Sequence, residues 1–185
     1  MITTRFLPTS EFYRYAEWLK NQDADTRAMY FGAPVGDYHI DSLLDSISKN
    51  PQDHEILVAE HKGEWAGTIH LAGGNVDEVE FGVIVGKEHR GHGVADCMMG
   101  EAIVWARNRG FRTLYMHCLS WNTPIKKLCI KHGLILKSSD GETETKTELP
   151  PPDLGTLTQE YANRNRNVYR MLLQTAYPLL AEIYG

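Results

Sequence analysis

Val83-Ile84-Val85-Gly86-Lys87-Glu88-His89-Arg90-Gly91-His92-Gly93-Val94-Ala95 reads as a valine-rich strand, a turn, and a glycine-containing lead-in to a helix. Gly91 and Gly93 remove side chains where the backbone must curl tightly. The first turn of the helix that follows has unpaired N–H groups and a positive dipole end. Together these form a cradle for a phosphate or pyrophosphate, with Arg90 as a fixed charge at its rim. The chain has no GxxxxGK[ST], which excludes a P-loop. The glycine spacing is not GxGxxG and the strand order is wrong for a dinucleotide fold.

Upstream of this stretch the apolar pattern has period two. Glu55 to His61, Glu64 to Ala72 and Val76 to Val85 read as three strands of an antiparallel meander, with Lys62-Gly63 and Gly73-Gly74-Asn75 as turns. Before them, Ile2 to Leu7 is a strand. A helix capped by Thr9 or Ser10 runs to about Asn21, Asp23 to Asp37 is a loop, and a second helix spans Asp41 to Lys49. Downstream, helical spacing holds from Gly93 to Arg109 and stops at Gly110. Thr113 to Leu119 is a strand, Asn122 caps a short helix, and Leu134 to Lys137 with Glu144 to Leu149 closes a hairpin. The class is mixed α/β: a mostly antiparallel sheet containing one β-α-β crossover. Residues 1–149 form the domain. Pro150-Pro151-Pro152 opens a linker, and Thr156 to Tyr184 reads as one helix kinked at Pro178, packed on the same domain or on a dimer mate.

The whole-chain numbers agree with one globular domain: 185 residues, 42% hydrophobic, 23% charged. The net charge of −5 is a poor match for nucleic acid or an anionic membrane, though it allows a local basic pocket. No stretch approaches the roughly 20 apolar residues of a membrane span. Nothing at the start resembles a signal peptide, so a cytoplasmic location is expected. Cys97, Cys118 and Cys129 are odd in number and lack CxxC spacing, which argues against a disulfide framework or a zinc ribbon. His89 and His92 sit on a glycine turn without nearby carboxylates, so no metal is expected.

Arg90-Gly91-His92-Gly93-Val94-Ala95 resembles the [RQ]xxGx[GA] acyl-CoA signature of the GNAT acetyltransferase superfamily. Asn122, Leu128, Lys131 and Gly133 are similar to that family's NxxAxxLYxKxGF. The resemblance extends from about Ile2 to Leu149 in element order. It implies a V-shaped slot between the strand ending at Val85 and Thr113–Leu119. Acetyl-CoA would lie there as cosubstrate, its pantetheine arm on the backbone of Val83, Ile84 and Val85. Its pyrophosphate would sit on the amides of Arg90, Gly91, His92, Gly93, Val94 and Ala95, beside Asn122. The implied reaction is direct attack of an amine on the thioester. It needs a base to keep the amine neutral and an acid for the departing thiolate.

For the base, Glu80 is the candidate, with Glu78 on the same strand face and His117 across the slot as a second imidazole candidate. The acid position departs from the family, which often has tyrosine where this chain has Cys129. Thr26 to Gly32 falls where the family builds its acceptor wall, and it faintly resembles that segment in bacterial protein-lysine acetyltransferase domains. Glu78, Glu80, Asp37 and Asp41 are available to attract a cationic amine, either a metabolite or a protein side chain. The competing expectation is an acyl-CoA-binding sensor or assembly module without turnover, motivated by the missing tyrosine.

Overall fold

The computed structural model describes residues 2–73, 77–139 and 141–165. Strands β1 (Ile2–Phe6), β2 (His54–His61), β3 (Glu64–Ala72), β4 (Glu78–Val85), β5 (Thr113–Leu119), β6 (Ile135–Ser139) and β7 (Glu142–Glu148) form one sheet in the order β1-β2-β3-β4-β5-β7-β6. Every neighbouring pair is antiparallel except β4 with β5, which are parallel. That is the arrangement expected from period-two strands interrupted by one helical crossover.

Five helices lie against the sheet: α1 (Phe12–Lys20), α2 (Ala24–Phe31), α3 (Asp37–Lys49), α4 (Val94–Asn108) and α5 (Thr123–Lys131). One sheet face packs Leu57, Ile69, Val79, Phe81 and Leu114 against Met98, Met99 and Ala102 of α4. Cys97, in the same run as the two methionines, is exposed instead. The other face packs Ile56, Val58 and Ile84 against Tyr15 and Leu19 of α1 and Ile40 and Ile47 of α3. Burying each such side chain contributes about 1.5–3 kcal/mol, so both faces of the sheet are held by helix layers.

Three expectations are corrected. The segment after Asp23 is a helix, not a loop. Asp23 caps it by accepting from the Thr26 amide at 3.0 Å, and Gly32 ends it at φ +77°. Thr9 and Ser10 do not cap α1; they form a 3-10 turn that precedes it. Helix α3 begins at Asp37 rather than Asp41. A sixth helix, α6, is described over 154–165. Asp153 caps it through the Thr156 amide at 2.8 Å, and it docks on the end of α4: Asn108 donates to the Glu160 carboxylate at 2.7 Å and Arg107 pairs with Asp153 at 2.7 Å. The predicted kink at Pro178, the stretch 166–184 and the turn residues Gly74 and Asn75 lie outside the described residues.

Candidate active site

The site begins where two strands separate. β4 and β5 pair only at Glu78/Thr113, Val79/Leu114 and Glu80/Tyr115, and beyond that point no rung joins them. Against β3 the register pairs Ile84 with Thr68 and Gly82 with His70, and the Gly86 amide donates to the Ala66 carbonyl at 2.9 Å. In an antiparallel ladder the bonding direction alternates, so even-numbered residues of β4 spend their backbone groups on β3. The N–H and C=O of Phe81, Val83 and Val85 therefore face the slot. Ile84, included in the expected backbone set, lends only its side chain, which is buried.

The slot opens into a cavity of about 520 Å³ that runs to the start of α4. Gly91 and Gly93 both adopt left-handed backbone, at φ +77° and +79°, and a Cβ at either would meet no protein atom within 4 Å. The space beside them is thus free for a ligand. The first helical bond of α4 is from the Cys97 amide to the Gly93 carbonyl at 3.0 Å, and no side chain caps the helix. The amides of Val94, Ala95 and Asp96 consequently have no intrahelical acceptor. Lys127 and Lys131 of α5 line the same cavity, a local basic lining within an acidic chain. Asp96, also in the lining, is hydrogen-bonded by Lys131 at 2.8 Å and His132 at 2.9 Å. The Lys131 bond comes first in holding its carboxyl below the usual range, against the opposing effect of burial. Asn122 caps α5, accepting from the Ile125 amide at 3.4 Å, and lines the cavity.

Two cradle residues differ from expectation. The Arg90 guanidinium is not a free charge at the rim: Nε donates to the Val85 carbonyl at 3.2 Å and Nη2 to Thr26 Oγ1 at 2.7 Å. Thr26 in turn donates to Asp23 at 2.6 Å, so Arg90 ties the cradle to α2. The His92 ring is outside the cavity lining and packs on His61, with centroids 5.1 Å apart.

A second cavity, about 390 Å³, lies on the α2–α3 side and shares Met29, Tyr30, Val83, Asn122 and Ile125 with the first. Glu80 and His117 both line it, so the structure brings the two base candidates together. Glu78 is on the same strand face but forms an ion pair with Lys146 at 2.7 Å. Cys129 is corrected. It is fully buried, its thiol faces Met116 Sδ at 3.7 Å and Thr145 Oγ1 at 3.9 Å, and it lines neither cavity. Burial pushes this thiol up to about 11.

The sequence reading placed Thr26 and Tyr30 in the acceptor wall without giving either a role of its own, and it missed His70. Tyr30 lines both cavities, and its hydroxyl is 2.8 Å from that of Tyr15; burial pushes it up to about 12. Its ring occupies the space over Gly82, where an added Cβ would fall 2.9 Å from the phenol oxygen. His70 lines the second cavity, and its Nε2 is 3.1 Å from His54 Nδ1. A signal for α2 existed in Asp23 and Gly32 as cap residues. It was obscured because α2 has no strong apolar stripe: Tyr30 and Phe31 reach the α1–α3 core while polar Thr26 and the Met29 side share the cavity wall.

Comparison with known proteins agrees with this geometry. A sequence profile described as the acetyltransferase (GNAT) family matches residues 12–134. No curated protein sequence matches. Among solved structures, the chain is similar to the GNAT domain of S. lividans PAT, with 21% identity, TM-score 0.64, and coverage of 79% of this chain and 89% of that one. It is also similar to spermidine N-acetyltransferase from Vibrio cholerae in complex with CoA and spermine (16%, TM-score 0.64, 80% and 95% covered). A third is yncA from Salmonella typhimurium with its cofactor acetyl-CoA (19%, TM-score 0.60, 83% and 98% covered). These likenesses establish the fold. Among the described residues, no cluster of three or more His, Cys, Asp or Glu could hold a metal ion, and no helix is long and apolar enough to cross a membrane.

Proposed function

The chain belongs to the acetyltransferase (GNAT) family, and from that premise we propose that it moves an acetyl group from acetyl-CoA to a primary amine by direct attack in a ternary complex. One observation carries this reading: two cavities meet at the splay of β4 and β5, one ending in free helix amides and lysines, the other holding Glu80 and His117. The residues fit the cosubstrate. A diphosphate suits the amides of Val94 to Asp96 with Lys127 and Lys131 nearby, and an extended amide-bearing arm suits the backbone of Val83 and the Val85 N–H, the Val85 carbonyl being taken by Arg90. When bound, acetyl-CoA supplies an activated acyl carbon. Backbone N–H groups near Val85 polarise its carbonyl. Glu80 accepts the proton of the incoming ammonium, directly or through water, with His117 as the alternative acceptor. Tyr30, which lines both cavities, takes the donor role that buried Cys129 cannot reach.

The second reading, an acyl-CoA-binding module without turnover, is favoured by the burial of Cys129. One experiment separates them. Calorimetric titration with acetyl-CoA, with free CoA as control, tests the cradle; thiol release in the presence of amines tests transfer. Micromolar binding with thiol release that falls at least tenfold in Glu80→Gln supports transfer. Binding with no release from any amine supports the module, and no binding at millimolar ligand sinks both.

A further inference from the structure

We propose that the acceptor is an amine carrying a single positive charge on an apolar, partly aromatic body, gripped by Glu80 alone, and that the site is built against polyamines. This deepens the reading above and rests on it. The helix side of the second cavity is Met29 and Phe31 of α2 with Leu43 of α3, and Phe31 meets Tyr30 edge-on at 4.8 Å. On the sheet side the Phe81 and Met116 side chains are turned into the α4-side core, and His70, Glu80 and His117 line the cavity with the backbone of Phe81 and Val83. The helix wall rewards a hydrocarbon or ring, and the carboxylate in the lining is that of Glu80.

The carboxylates that the sequence offers to a cation are already engaged, save one. Glu78 is paired with Lys146 at 2.7 Å, Asp37 with Arg27 at 2.8 Å, and Asp41 with Lys20 at 2.5 Å. Glu144 is cross-strand from His117 but outside the lining, and its other cross-strand neighbour is Lys137. Among the described residues, Glu80 lines the cavity with no ion pair. His70 presents a neutral ring, already bonded to His54. A first ammonium therefore finds Glu80. A second or third, spaced along a polyamine, meets the apolar helix wall or carboxylates already paired with a lysine or arginine, so it gains less than the first.

The test measures 2-phenylethylamine, spermidine and Nα-acetyl-lysine amide against the CoA-saturated protein by calorimetry, and with acetyl-CoA by thiol release. Phenylethylamine is expected to bind at least tenfold tighter than either of the others, and Glu80→Gln to remove at least tenfold of that affinity. Lys146→Met frees Glu78 and is expected to improve spermidine binding threefold or more. Spermidine or the lysine amide binding wild-type protein as tightly as phenylethylamine overturns the proposal. So does spermidine affinity unchanged in Lys146→Met. Phenylethylamine binding without thiol release sinks the transfer reading and supports the charge selectivity, so the two failures are separate.

Discussion

Acidification is expected to destabilise this fold through His70 before its carboxylates titrate. His70 is half-buried in the sheet face beneath α1, under the Tyr15 ring at 5.9 Å and against the His54 ring at 5.1 Å. Burial, and then the neighbouring His54, lower its pKa from 6.5 to about 4. The unfolded chain therefore binds the proton and the native chain does not, so stability is full near neutral pH and falls as pH drops below about 6.5. A displacement of this size is worth about 3 kcal/mol once pH reaches the native value, and about 2 kcal/mol is already lost near pH 5. That is a large part of a typical net stability of about 5–15 kcal/mol. The depressed carboxylates of Asp23 and Asp96 act in the same direction, but only below about pH 4. His54 and His61, also lowered by burial, share the His70 window, so a variant is needed to isolate it. Urea unfolding of wild type and His70→Gln at about pH 7 and pH 5 provides it. Wild type is expected to lose about 2 kcal/mol more than the variant over that interval. Equal losses in the two proteins would refute the reasoning, as would an NMR titration placing His70 near its ordinary value.

Other outcomes follow from single contacts. Gly82→Ala sets a Cβ 2.9–3.2 Å from three atoms of Tyr30; it is expected to displace that ring, lower kcat/KM for the amine at least tenfold, and leave acetyl-CoA affinity within about threefold by calorimetry. Thr26→Val cuts the tie from Arg90 to α2, so kcat is expected to fall more than acetyl-CoA affinity, with Thr26→Ser restoring it. Lys127→Gln with Lys131→Gln removes two cavity cations and is expected to weaken acetyl-CoA binding more at low salt than at high salt in titrations. Gly93→Val is expected to abolish acetyl-CoA binding, but at φ +79° it also costs about 1–2 kcal/mol of backbone strain, visible as a lowered Tm.

Much of the fold was legible because its signals are local. Period-two strands, helical spacing after Gly93, Asn122 as a cap and Gly110 as a stop each depend on neighbours a few residues away. The tight glycine turn before α4 was legible for the same reason: its glycines and helix amides lie within one short segment. Helix α2 was hidden because a helix that walls a cavity shows no clean apolar stripe.

The sequence by itself determined the class of the fold, the place of the crossover, and the segment in which glycines and unpaired helix amides lie together. Those are properties of backbone conformation, written in glycine positions and apolar period. Only the tertiary structure decided which side chains share the reaction volume. It turned Cys129 into the core, bound Arg90 to Thr26, cancelled Glu78 with Lys146 from a strand 68 residues away, and set Tyr30 over Gly82. Each of those depends on contacts between distant segments, and the charge or exposure of a side chain is fixed by what lies against it, not by its own place in the chain.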